Sequence, residues 1–140
     1  MKIKTDNLTG PALDYAVAKC HGKGLDLDDP DFPWLTSDGI ADVPLEDYSP
    51  STSWQEGGPI IEIYEIGIRR NAPCSTGREW EASGSITAKG AGYRWGYGPK
   101  PLIAAMRCFV ASKLGEEVDI PDDLLPRDYG LQTEFHRETA

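Results

Sequence analysis

Apolar positions recur with helical spacing in two clear places and one ambiguous one. Near the start, Leu13, Ala16, Val17 and Cys20 fall at i, i+3, i+4 and i+7, one face of a helix. Thr9 or Gly10 caps it, Pro11 suits the first turn, and Gly22 or Gly24 ends it, so a helix is predicted over 9–22. Further on, Leu102, Ile103, Met106, Phe109, Val110 and Leu114 form a wide apolar stripe. It is bracketed by Pro101 and Gly115, and Lys113 complements the carboxyl end, so a second helix is predicted over 100–115. The third case is Ile60 to Ile68. Ile61, Ile63, Ile66 and Ile68 include strand-like alternation, yet Gly58-Pro59 suits a helix start and Gly67 a stop. The reading taken is a helix from about Ser53 or Pro59 to Ile66, with a strand as the open alternative.

Strand signals are shorter. Residues 2–5 and the alternating Leu25-Asp26-Leu27-Asp28 each suit a short strand. Glu79 to Ser83 and Tyr93 to Tyr97 suit two more, punctuated by glycines at 77, 84, 90, 92, 96 and 98. Along the second, Tyr93, Trp95 and Tyr97 share one face and Arg94 takes the other. Pro30, Pro33 and Pro44 argue against any long helix or central strand. Residues 24–50 therefore read as a long, acidic, proline-rich loop pinned by Phe32, Trp34 and Leu35. The expected class is α+β: a small, mostly antiparallel sheet packed by two or three helices in a single compact domain over 1–125. Residues 126–140 read as a polar tail.

With 140 residues, one domain is expected, and 39% hydrophobic residues are too many for a wholly disordered chain. No apolar run approaches the length of a membrane span, and Met1 to Asn7 does not read as a secretory leader. The balance of 14 Lys+Arg against 23 Asp+Glu gives a net charge of -9. No Lys or Arg occurs between Lys23 and Arg69, while eleven acids do. That pattern argues against direct DNA or RNA coating, which needs a basic stripe. It reads either as a solvated acidic surface or as a face that competes for a nucleic-acid-binding protein. Cys20, Cys74 and Cys108 form no CxxC pair, and His21 and His136 are the only histidines, so neither a metal nor a cofactor is expected. Sparse thiols fit a reducing cytoplasm.

Two blocks combine groups able to hold an anion beside a ring. In the first, Ser51, Thr52 or Ser53 caps a helix, Gly57 and Gly58 permit close backbone approach, and Tyr48 and Trp54 supply flat faces. Ser53 and Glu56 have capping-box spacing. In the second, Tyr93, Arg94 and Trp95 lead through Gly-Pro into Lys100 at a helix start. It is not a P-loop. The plainer reading of each is structural: hydroxyls that cap, a core-facing aromatic row, and Gly-Pro turns. Arg69, Arg70, Arg78 and Arg107 either fork onto phosphate or pair with acids. Catalysis has little support. No GxSxG or HExxH motif occurs, Glu62 and Glu65 suit a solvated helix face, and Cys74 has no identifiable base beside it.

Four segments resemble a family of small tailed-phage proteins called NinX, a domain of unknown function. They are Leu8-Thr9-Gly10 with Leu13 to Cys20, Tyr48 to Trp54, Gly57 to Glu62, and Pro101 to Gly115, in that order. The sequence of elements also resembles a looser group of phage proteins described as α/β/α sandwiches. The resemblance implies a phage accessory protein in a bacterial cytoplasm and carries over no catalytic residue. The function expected from both lines is non-enzymatic sequestration of a small phosphorylated or nucleotide-derived ligand, such as a host immune signal, by a homo-oligomer with no membrane partner. The alternative is an acidic inhibitor that binds a host nucleic-acid-associated or defence protein.

Overall fold

The structure, a computed structural model, describes residues 1–29, 31–71, 76–84 and 94–125. Tyr93, Cys74 and the 126–140 tail expected from the sequence lie outside the described residues. In chain order the elements are β1 (Lys2–Lys4), α1 (Gly10–Cys20), β2 (Gly24–Asp26), β3 (Trp34–Ser37), β4 (Ile40–Pro44), α2 (Trp54–Ile63), β5 (Gly67–Arg70), β6 (Trp80–Gly84), β7 (Arg94–Gly98), α3 (Pro101–Leu114) and β8 (Glu117–Asp119). The class is α+β, as expected. The strands form three small antiparallel sheets, β1-β8, β2-β3-β4 and β5-β6-β7, where one sheet was expected.

Helix α3 is the centre. Leu102, Ala104, Met106, Phe109 and Val110 are buried on it, and it lies across β6 and β7 while α1 packs alongside. The closeness of α3 to β7 depends on glycine. A Cβ at Gly96 would overlap backbone atoms of Ala104 and Cys108, and one at Gly98 would strike Ile103 and Ala104. The side of β7 facing α3 is therefore Gly96 and Gly98. Trp95 and Tyr97 point to the opposite face and Trp95 is 45% exposed, which corrects the core-facing aromatic row.

Residues 24–50 are not a loop. They form β2-β3-β4, and the turns are made by the acids themselves. Asp26 Oδ1 accepts from Asp28 N at 2.9 Å and Asp29 Oδ1 from Asp31 N at 3.1 Å, while Asp38 and Gly39 turn the hairpin with φ of 54° and 81°. Pro33 precedes β3 and Pro44 ends the edge strand β4, where neither prevents pairing. Leu35 is buried, as read, but Phe32 and Trp34 are exposed and pin nothing.

Helix α2 resolves the ambiguous segment as helical, although it stops at Ile63 and carries Pro59 inside. Glu65 adopts φ 53°, and Ile66 N donates to Ile61 O at 3.0 Å, closing a Schellman turn that folds Ile66 back into the core. Glu65 thus lies beyond the helix, so Glu62 and Glu65 are not a pair along one of its faces. Ser53 makes no side-chain cap; Glu56 Oε2 accepts instead from Ser49 N (3.0 Å) and Ser49 Oγ (2.9 Å).

Candidate functional site: an acidic cavity at the start of α1

The start of α1, the aromatic end of β3 and the turn after β4 enclose a cavity of about 820 Å³. Its wall includes Thr9, Gly10 and Pro11 from the helix start, Phe32, Pro33 and Trp34 before and in β3, Pro44, Leu45 and Tyr48, and Leu124 and Leu125 from beyond β8. The charged groups on it are Asp14, Asp31, Glu46 and Asp123. Among the described residues, no Lys or Arg lines it.

Asp14 is the unusual member. It sits in the run Ala12 to Ala18, all of it buried, and is itself 6% exposed. Ser51 N donates to its Oδ1 at 2.9 Å. Burial pushes its carboxyl up to about 6; contacts from Ser51 oppose the shift and the charge of Glu56 adds to it. Burial also raises Tyr48, with Asp14 and Glu56 contributing, to about 12, so its hydroxyl remains protonated at neutral pH. The sequence offered one signal for this site: an acid inside an otherwise apolar helical run.

Of the ligand-binding residues expected from the sequence, Tyr48 lines this cavity. Ser51 lies behind it, 2% exposed, and touches Asp14 through both its backbone N–H and its side chain. Thr52 is exposed, Ser53 and Gly58 are half-buried, and Trp54 is 57% exposed. Gly57 is buried against Pro50 and Leu102, in space that a Cβ would fill. Trp95 belongs elsewhere, to a second cavity of about 440 Å³ with Lys4, Asp6, Tyr97, Glu116 and Glu117. Arg94 lies on β7, and Lys100 is exposed at the start of α3. The two blocks read from the sequence are thus not gathered around either cavity.

Arg69, Arg70, Arg78 and Arg107 have partners within the protein. Arg69 pairs with Glu81, and the Arg70 guanidinium lies 5.4 Å from the Trp80 ring centre. Arg78 lies 3.9 Å from Asp6 and stacks 4.0 Å over Tyr97. Arg107 donates to Leu8 O at 2.9 Å and Tyr97 O at 2.7 Å, tying α3 to two other segments. Burial pushes the thiols of Cys20 and Cys108 up to about 12, so neither is a thiolate near neutral pH. Among the described residues, no three His, Cys, Asp or Glu side chains group as metal ligands. No helix there is long and apolar enough to cross a membrane.

Fold and cavity together define a small α+β domain with an acidic, ring-walled recess. The family model for Bacteriophage P22, NinX matches residues 4–113, and the chain belongs to that family. No curated protein matches it.

Proposed function

We propose that this is a non-enzymatic phage accessory protein acting in the host cytoplasm, where it binds and blocks a host protein through a basic, partly apolar surface. The observation that carries this reading is the α1 cavity with its four carboxylates, its aromatic wall and, among the described residues, no Lys or Arg on it. The neighbouring β2-β3-β4 sheet continues the same chemistry, with Asp28, Asp29, Asp38, Glu46 and Asp47 exposed. A complementary basic partner would be steered to such a face and held less well as salt screens it. Phe32, 60% exposed, and Trp34, 39% exposed, supply the apolar contact that a purely electrostatic encounter lacks.

Sequestration of a phosphorylated ligand has weaker support. The start of α1 brings roughly half a positive charge to the cavity, against four carboxylates. Arg69, Arg70, Arg78 and Arg107 already have partners in the protein. Two measurements separate the readings. Immobilised full-length protein should retain one host protein from lysate at about 0.1 M salt and release it near 1 M. Replacing Asp28, Asp29, Asp31 and Glu46 with their amides should abolish that capture. A panel of cyclic dinucleotides and cyclic ADP-ribose isomers should leave the melting temperature unchanged, whereas a true ligand at 100 times its dissociation constant would add about 2.7 kcal/mol. Capture indifferent to the four amides, or a melting shift with a nucleotide, overturns the proposal.

A further inference from the structure

Asp14 presents an electrostatic imbalance that no opposite charge among the described residues resolves. Its carboxylate is buried at the cavity wall, where Ser51 is its neutral partner: the backbone N–H donates at 2.9 Å and the side chain also favours the charged form. Among the described residues, no Lys, Arg, His or terminal amine forms an ion pair with it. The charged side chain reaching towards it from α2 is Glu56, which carries the same sign. The rest of the cavity's charge, on Asp31, Glu46 and Asp123, also has that sign. An ionised carboxylate in such a place is normally matched by a cation or replaced by an apolar side chain.

The space beside it is shaped for more than a bare ion. About 820 Å³ lies within the usual range for ligand pockets, and the walls include the rings of Phe32, Trp34 and Tyr48. A flat, weakly hydrated cation gains from rings and from a carboxylate together. A guanidinium does both, since it stacks on aromatic faces and donates in a fork, while an ammonium is a compact, strongly hydrated point charge.

We propose that the cavity receives an arginine side chain of the partner protein, its guanidinium directed to Asp14 and its plane against the aromatic wall. The source of that arginine rests on the inhibitor reading above; the charge and shape of the recess do not.

The test uses full-length protein and three small probes: N-acetyl-arginine amide, its uncharged isostere N-acetyl-citrulline amide, and N-acetyl-lysine amide. Binding is followed by the backbone amide resonance of Ser51 and the indole resonance of Trp34. The arginine probe should saturate both signals at millimolar concentration, with the citrulline probe weaker by about tenfold or more and the lysine probe between them. Asp14→Asn, shown to be folded by its melting curve, should bring the arginine probe down to the level of the citrulline probe. Equal binding of the arginine and citrulline probes to the wild type overturns the inference, whatever Asp14→Asn does to folding. Partner capture that persists in Asp14→Asn, with no arginine selectivity, sinks this inference and leaves the inhibitor reading standing. Arginine-selective binding without any salt-sensitive host partner upholds the cation site and removes the inhibitor reading.

Discussion

At the scale of single residues, Asp14 is the position where stability and binding pull apart. Its carboxyl is raised from the ordinary 3.8 to about 6, chiefly by burial. The folded protein therefore holds that proton more tightly than the unfolded chain does. The group's favourable contribution is complete below pH 3.8, declines as pH rises through the interval to about 6, and is gone above it. At neutral pH the burial of the charge costs about 3 kcal/mol by this arithmetic. Asparagine still accepts from the Ser51 N–H but never ionises. Asp14→Asn should accordingly melt higher than the wild type at pH 7.5, by on the order of 5–10 °C, and the gap should close towards pH 3.5. Thermal melts across that range decide it. A wild type as stable as the variant at pH 7.5 would mean that the carboxylate is not penalised, and the case for an external cation would weaken with it.

At the scale of elements, the legible parts were those with repeated spacing and marked ends. Helices α1 and α3 follow from their stripes, with Pro11 and Pro101 at the starts and Gly115 at one stop. What escaped was decided by local turn chemistry. Asp38-Gly39 is a two-residue hairpin signal, but β3 and β4 are only four and five residues long, and the surrounding prolines and acids outweighed it. The end of α2 escaped for a related reason. Ile66 continues the apolar series, yet it is buried by a reversal at Glu65 and not by another helical turn. That reversal puts a residue with a Cβ in the left-handed region, which costs about 1 kcal/mol. Glu65→Gly should therefore raise stability by roughly 0.5–1 kcal/mol in denaturant melts, and no gain would mean that Glu65 makes compensating contacts.

The same scale explains why the aromatic row on β7 faces outward. Gly96 lies where α3 comes closest to the sheet, and a methyl there meets helix backbone, which cannot rotate away. Gly96→Ala should cost about 3 kcal/mol, near the top of the usual range for overpacking. The candidate site was less legible than the fold. Its wall draws on residues from Thr9 to Leu125, so no local motif marks it, and of its lining only Tyr48 was named from the sequence as a ligand-binding residue. The blocks that were named carry good local chemistry, but Gly57 uses its open space to admit Pro50 and Leu102 instead of a ligand.

At the scale of the whole molecule, a net charge of -9 sets opposite salt dependences for two kinds of association. Copies of the chain repel one another, so a homo-oligomer is hindered at low ionic strength and relieved by screening. An acidic face meeting a basic partner behaves in the reverse way. Screening shortens from about 10 Å at 0.1 M salt to about 3 Å at 1 M, which spans the range in which both effects act. The exposed Trp54, Ile63 and Trp95 lie outside the wall of the acidic cavity and offer apolar surface for self-association. Sedimentation velocity at the two salt concentrations should show self-association strengthened at the higher one, while capture of the host partner weakens. Trp54→Ser should reduce the first without touching the second. If added salt strengthens both, partner binding is apolar rather than charge-led, and the four carboxylates of the α1 cavity are not what the partner reads.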